Sequence, residues 1–314
     1  MNKPPSVAYV FPGQGAQWVG MGKDLYQQYA PAMELFDLAD ATLRFSLSRL
    51  CFEGPEDDLR QTENAQPAIV AVSLATLAAL KEKKWVLPQP AYVAGHSLGE
   101  YTALAATGVL DAASTIRLAW ERGRLMQQAG QINPGGMAAV IGLSQHQVAD
   151  LCAETGTQIA NINCPGQLVI SGAADKLARA IELARERGAH RVVPLVVSGA
   201  FHTPLMQPAV DGMAEVITSL KFNPPQVPII ANTSAQPLTT AADVKEELLR
   251  QLTNSVRWQA SVEYMISNGV DTFIEIGPGR VLSGLIRRTS KTAHTVNLGD
   301  ARAINEFGMQ REAF

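Results

Sequence analysis

Tyr92-Val93-Ala94-Gly95-His96-Ser97-Leu98-Gly99-Glu100-Tyr101 runs from a short β-rich stretch directly into an Ala-rich helical pattern over 100–107. Between the two lies Gly-x-Ser-x-Gly, the nucleophile elbow in its required strand–turn–helix context. Glycines on both sides let the backbone turn where a Cβ would obstruct it. The turn sets the Ser97 hydroxyl at the start of a helix, where amide N–H groups can stabilise a developing oxyanion. A structural turn with an idle serine is the alternative for the five residues alone. The flanking strand and helix favour the nucleophile.

Outward from the elbow, residues 7–11 form a second short apolar run ending at Pro12-Gly13-Gln14-Gly15, which reads as a buried strand opening into a glycine loop. A helical pattern covers 67–84, with Pro67 at its first position, and another covers 111–128. Helices are also expected over 205–220, 244–252, 261–268 and 281–288, with strands over 228–232 and 272–277. Strands alternating with helices point to an α/β fold with a parallel sheet covered on both faces. Residues 308–314 carry no interpretable pattern.

The middle of the chain has a different rhythm. Strands are expected over 136–143, 158–163, 168–171 and 191–197. Ser144 and Gln147 set a capping box for a helix to about 154, and Gly188 stops a helix over 174–187. The order βαββαβ is that of a ferredoxin-like unit. It reads as a small domain, residues 131–198, inserted into a large domain made of 1–130 and 199–314.

Bulk properties narrow the function. The 314 residues are 46% hydrophobic and 18% charged, an ordinary globular balance. A net charge of -3 and 6% aromatic residues supply neither the field nor the stacking surfaces expected of a nucleic-acid binder. Cys51, Cys152 and Cys164 are too few for a disulfide framework or a zinc site and read as reduced thiols. No signal-peptide pattern opens the chain, and the longest apolar run, 68–80, is too short to span a bilayer. The expectation is a cytoplasmic protein without membrane or metal.

A serine needs a base. His146 reads as a surface-helix residue, and His190, at the start of a strand, as solvated. His96 is expected to point away across the elbow and support the turn. His202 sits in Ser198-Gly199-Ala200-Phe201-His202-Thr203-Pro204, a loop between the two units where catalytic groups gather. His294, with Asp271 as its acid, matches the chain order of α/β-hydrolases. On the residues alone both stay open. Arg122 reads by itself as a solvated helix charge. Gly277-Pro278-Gly279 has no following Lys-Ser or Lys-Thr and reads as a tight turn. The Arg287, Arg288 and Lys291 cluster reads as ordinary helix-end charge, with a carrier-protein dock as its other reading.

Phe11-Pro12-Gly13-Gln14-Gly15, Gly95-His96-Ser97-Leu98-Gly99-Glu100-Tyr101, Ala200-Phe201-His202 and Glu275-Ile276-Gly277-Pro278-Gly279 together resemble the malonyl-CoA:acyl carrier protein transacylases, from about residue 7 to about residue 299. The resemblance implies a hydrolase-like large domain carrying the ferredoxin-like one. It implies Ser97 as nucleophile and His202 as base, the histidine oriented by backbone carbonyls with Gln251 at the supporting position. Gln14 and the Leu98 amide are implied for the oxyanion hole, and Arg122 for the free carboxylate of malonate, which a guanidinium fork can pair bidentately. Leu98 and Ala200-Phe201-His202 resemble the malonyl-selective members. The implied reaction moves malonyl from coenzyme A to the phosphopantetheine thiol of an acyl carrier protein. It needs no cofactor, malonyl-CoA being a substrate, and is carried out by a monomer in fatty-acid or polyketide synthesis. A serine esterase of the same architecture and a non-catalytic binding module are the competing functions. Arg122 and the Gln14 loop count against the first, and the filled catalytic positions against the second.

Overall fold

The computed structural model of the chain describes residues 6–82 and 87–312. Its strands are β1 (Val7–Phe11), β2 (Tyr92–Gly95), β3 (Gly135–Ile141), β4 (Gln158–Cys164), β5 (Gln167–Ala173), β6 (Arg191–Pro194), β7 (Ile229–Ile230), β8 (Pro237–Leu238), β9 (Thr272–Ile276) and β10 (His294–Leu298). They form a six-stranded sheet ordered β10-β9-β1-β2-β7-β8 and a four-stranded sheet ordered β4-β5-β3-β6. The larger sheet is parallel apart from the β7–β8 hairpin.

β1 explains why the large sheet carries helices on both faces. Successive side chains of a strand point to opposite sides. Val7 and Phe11 join the hydrophobic cluster built around helix Thr62–Glu82, whereas Ala8 and Val10 join the one around Trp258 and Val262. Both sets are buried, as a central parallel strand requires. Helix Thr62–Glu82 is itself buried on nearly every side along residues 65–76, so its weak amphipathicity fits a central element.

The four-stranded sheet is antiparallel throughout, with the order of a ferredoxin-like unit. Ala138 and Val140 face helices Gln145–Thr155 and Ala174–Glu186, while Met137 and Ala139 face the large sheet's core. Its edge strand β4 does not stay open. Ile162 N–H donates to the Val256 carbonyl at 2.9 Å, and Val256 N–H to the Ala160 carbonyl at 2.8 Å. This backbone stitching ties the small sheet to the large unit and covers an edge that would otherwise invite pairing.

Several elements depart from the sequence expectation. Pro67 does not open its helix. It lies inside Thr62–Glu82, because residues 62–66 carry buried contacts that outweigh the one helix hydrogen bond a proline removes. The expected end of that helix, at 84, lies outside the described residues. Helix Ala112–Ile132 continues a turn past 128 and is capped by Asp111. β6 stops at Pro194: Leu195 N–H still reaches the Met137 carbonyl at 2.9 Å, but the chain then leaves the sheet and Val196 is 86% exposed. β7 is cut to two residues because Asn232 turns away from the sheet. β10 and helix Ala301–Glu312 were not foreseen, and the helix runs through most of the stretch that carried no sequence pattern. The three cysteines are unpaired and buried. Among the described residues no helix is long and apolar enough to cross a membrane, and no His/Cys/Asp/Glu group could hold a metal.

Two glycines test where backbone space controls stability. A Cβ on Gly95 would lie 1.9 Å from the Gly99 carbonyl carbon, whereas one on Gly284, inside helix Val281–Thr289, meets nothing within 4 Å. Gly95→Ala should therefore destabilise by at least about 1–3 kcal/mol through overpacking, and Gly284→Ala should stabilise by about 0.5–1 kcal/mol. Urea unfolding of both proteins reads the opposite signs.

Candidate active site

The site begins at the carboxyl ends of β1 and β2, where open α/β sheets place their ligands. Gly99 must be glycine because a Cβ there would stand 2.1 Å from the Phe11 carbonyl oxygen. The elbow is thus pressed onto the end of β1. Ser97 at its apex takes φ 49°, a left-handed conformation costing a non-glycine residue roughly 1–2 kcal/mol.

Asn232 holds that conformation. Its Oδ1 accepts the Ser97 N–H at 2.6 Å, and its Nδ2 donates to the Gly95 carbonyl at 2.7 Å. The Ser97 carbonyl accepts from Gln251 Nε2 at 2.9 Å. The strained residue is therefore gripped on both of its peptide units.

His202 Nε2 lies 2.9 Å from Ser97 Oγ, and its Nδ1 lies 2.7 Å from the Gln251 carbonyl. A carbonyl can only accept, so Nδ1 carries the proton and Nε2 faces the serine as an acceptor. His202 is buried, and it too has a left-handed backbone, φ 60°. Burial, with the Arg122 guanidinium close by, pulls its pKa down to about 3. The imidazole is neutral at physiological pH. His294, by contrast, is exposed on β10, three strands from β2. At about 4.8 Å per strand that is roughly 14 Å away. Asp271 is engaged with Thr272 and the Ser6 N–H.

Arg122 is not a solvated helix charge. It is 1% exposed and points from helix Ala112–Ile132 at the nucleophile. Nη2 donates to Ser97 Oγ at 3.1 Å and to Gln251 Oε1 at 2.7 Å, Nη1 donates to Gln66 Oε1 at 2.8 Å, and Nε is buried without a partner. The Tyr101 ring lies 5.1 Å from the guanidinium carbon. Every acceptor in contact with the fork is neutral. Its residue number hides a signal, however. Arg122 falls four residues after Leu118 and four before Met126, on the apolar stripe of its helix, where a charge demands a reason.

Behind the elbow, Glu100 is buried, accepting the Asn232 N–H at 2.6 Å and a hydrogen bond from Gln251 Nε2. Burial and the neighbouring Glu247 raise its pKa well above the usual carboxylate value. Glu247 accepts from the Thr233 N–H at 2.8 Å and from its hydroxyl. Asn232, Glu100 and Gln66 carried no assignment in the sequence reading. Each borders an apolar or Ala-rich run, Glu100 and Gln66 at its start and Asn232 at its end.

His96 lies across the elbow, its Nε2 2.8 Å from Asn163 Oδ1 and its ring centroid 5.6 Å from that of Trp258. It does not leave the site, since it lines the same cavity as Ser97. Burial lowers its pKa. Gln14 donates from Nε2 to Thr62 Oγ1 at 3.1 Å, and Thr62 shares a 2.7 Å hydrogen bond with Ser198. Leu98 is buried at the head of helix Gly99–Ala106. Glu275 receives the Leu282 and Ser283 N–H groups at 3.0 and 2.8 Å, so the Gly277-Pro278-Gly279 turn leads into a helix start already occupied by a carboxyl group. Ser97, His202 and Arg122 open into one cavity of about 470 Å³ between the two sheets, with Met137 and Val169 of the small sheet opposite.

Similarity to known proteins agrees with this arrangement. The acyl transferase domain family matches residues 8–309. The malonyl CoA-acyl carrier protein transacylase of Bacillus subtilis (strain 168) is 46% identical over 306 residues, 95% of either chain. That of Escherichia coli (strain K12) is 40% identical over 301 residues, covering 95% of this chain and 97% of the other. The crystal structure of an acyl carrier protein S-malonyltransferase from Vibrio cholerae superposes with a TM-score of 0.92 at 43% identity, covering 96% of this chain and 99% of that one. A malonyl-transacylase in complex with a type II PKS acyl-carrier protein gives a TM-score of 0.92 at 38% identity, covering 96% and 98%. With the fold, the motifs and near full-length relatives in agreement, the chain belongs to the malonyl-CoA:acyl carrier protein transacylase family of acyl transferases.

Proposed function

We propose that this enzyme transfers a malonyl group from malonyl-CoA to the phosphopantetheine thiol of an acyl carrier protein through an ester on Ser97. The observation that carries the assignment is the Arg122 fork. It is a buried cation whose contacts are all neutral, set 3.1 Å from the nucleophile. A buried charge of this kind calls for an anion. The free carboxylate of a short diacid thioester meets it when the thioester carbonyl is at Ser97. The names of the relatives support the same substrate pair, and the carrier-bound neighbour supports the acceptor.

Ser97 passes its proton to His202 Nε2 as Oγ attacks the thioester carbon. The backbone N–H groups of Leu98 and Gln14 face the oxyanion. The Gln14 side chain is engaged by Thr62, which leaves the amide of that residue for the role. The tetrahedral intermediate collapses, the carbon–sulfur bond breaks, and the imidazolium returns the proton to the departing coenzyme A thiolate. The carrier thiol then gives its proton to His202, attacks the ester, and Ser97 leaves with that proton. No redox step or bound cofactor enters. The enzyme acts in the cytoplasm, in fatty-acid or polyketide synthesis, where free-standing carrier proteins are loaded. Residues 131–198 act as an inserted domain whose sheet closes the acyl pocket.

Intact-mass analysis after mixing with malonyl-CoA should find one malonyl group on the peptide containing Ser97 and none on Ser97→Ala. Modification elsewhere would overturn the route.

His202→Ala should slow acylation by roughly 10²- to 10⁴-fold, while His294→Ala stays near wild type. A base with a folded pKa of about 3 remains unprotonated across the working range. Acylation in the wild type should therefore be level from pH 8 to pH 5. Unfolded His202 takes up its proton near pH 6.5 and the folded one only near 3, so its contribution to stability falls as pH drops between those values. An acylation limb centred near 6.5 would remove His202 from the role.

Removing one partner of a buried charged pair costs about 3–5 kcal/mol. With partial solvent access, Arg122→Ala should lower kcat/KM for malonyl-CoA by roughly 10²- to 10³-fold and leave acetyl-CoA unchanged or faster. Arg122→Lys should recover part of the loss, since an ammonium keeps the charge without the planar fork. Equal losses for both thioesters would make Arg122 structural.

A further inference from the structure

Gln251 is the point where three demands meet. Its backbone carbonyl takes the Nδ1 proton of His202, its Oε1 accepts from Arg122 Nη2 at 2.7 Å, and its Nε2 donates to the Ser97 carbonyl at 2.9 Å and to Glu100 Oε2. An amide placed the other way round would aim its NH₂ at the guanidinium, donor against donor. Arg122 would then lose an acceptor while buried, and its fork would turn away from the pocket. Something has to fix the amide's orientation. The carbonyl of Ser97 is one acceptor, and Glu100 is the other.

Glu100 is placed for this from the first turn of the helix that follows the nucleophile, and it is 2% exposed. Its Oε1 accepts the Asn232 N–H at 2.6 Å, and Asn232 is the residue that clamps Gly95 and Ser97. One carboxyl group therefore anchors the Gln251 side chain and the backbone of Asn232, the two residues that grip the elbow. It also stands one amide away from Arg122 without touching the guanidinium. A carboxylate in direct contact would occupy the fork that the substrate needs. We propose that Glu100 is a positioning residue for acyl selection: through the Gln251 amide it holds the Arg122 guanidinium open toward the substrate carboxylate. The inference rests on the reading of Arg122 as the malonyl carboxylate site.

Glu100→Gln keeps the shape of the side chain but brings an NH₂ group that must face one of the two donors. The Asn232 donor is a backbone N–H and cannot rotate, so the NH₂ falls on the Gln251 side. The readout is the ratio of malonyl to acetyl acylation of Ser97, together with the separate kcat and KM for malonyl-CoA. Glu100→Gln should lower the malonyl/acetyl ratio about tenfold or more, mainly through KM for malonyl-CoA. In an Arg122→Ala background it should change that ratio less than about threefold, because residues acting through one group are not additive. An unchanged ratio in the single variant, or an equal further drop in the double variant, overturns the proposal. Should Glu100→Gln fail to fold, Gln251→Met breaks the same link with similar bulk and must give the same loss and the same non-additivity. Arg122→Ala alone separates the two levels. If it slows malonyl and acetyl equally, the carboxylate reading has failed. If it is selective while Glu100→Gln and Gln251→Met are not, only the positioning role has failed.

Discussion

The contact between the elbow and the end of β1 constrains everything else in the site. Gly99 sits so close to the Phe11 carbonyl, and Gly95 so close to Gly99, that neither position has room for a single methyl group. Closing the turn that tightly forces Ser97 into a left-handed conformation, and such strain persists only where the surroundings over-determine it. Asn232 and Gln251 supply that surrounding by bonding the two peptide groups on either side of Ser97. The Gln251 side chain and the Asn232 backbone N–H need an acceptor behind them, and Glu100 is there. The buried polar network is thus a consequence of the tight turn, satisfied group by group, as a network in a low-dielectric interior has to be.

This arrangement also explains how the site manages four buried ionisable groups. His202 stays neutral because burial penalises its charged form and because charging it would place a second cation beside Arg122. Arg122 stays charged because a guanidinium does not deprotonate in proteins, and the nearest carboxylate lies beyond an amide rather than in contact. Glu100 and Glu247 oppose one another's ionisation, while the donors from Asn232, Gln251 and Thr233 pull the other way. The free enzyme therefore holds a neutral base and an unmatched cation next to one hydroxyl. An acyl group with its own anion matches that field, whereas an uncharged acyl group leaves the cation unmatched.

Much of this was legible in the residues, and the boundary follows the range of the interaction. β1 and β2 match their expected spans because a β-rich run that stops at a glycine is a local signal. The capping box at Ser144 and Gln147 is equally local, and it forms. The failures are tertiary. Pro67 reads as a helix start by its own chemistry, but Thr62 and Gln66 are held by Ser198, Gln14 and Arg122 from distant parts of the chain. β7 is shorter than its apolar run because Asn232 is used at the elbow. Arg122 reads as solvated from its charge alone, whereas its phase on the helix, between Leu118 and Met126, and the family resemblance both point inward. His202 and His294 could not be separated by local pattern, since the difference between them is the order of strands in the sheet.

The inserted sheet adds what the elbow cannot provide. Ser97, His202 and Arg122 all lie outside the stretch that forms the four-stranded sheet, and without that sheet they would lie open at the end of the parallel strands. Stitching β4 to Val256 brings one face of the antiparallel sheet over them. Met137 and Val169 then form an apolar wall opposite Ser97, and Asn163 holds His96 against the other side of the elbow. Excluding water there strengthens the pull of Arg122 on an incoming anion, since a charge acts more strongly as the effective dielectric falls. On the route proposed above, an ester on Ser97 faces the apolar side chains of Met137 and Val169, with the neutral His202 imidazole beside it.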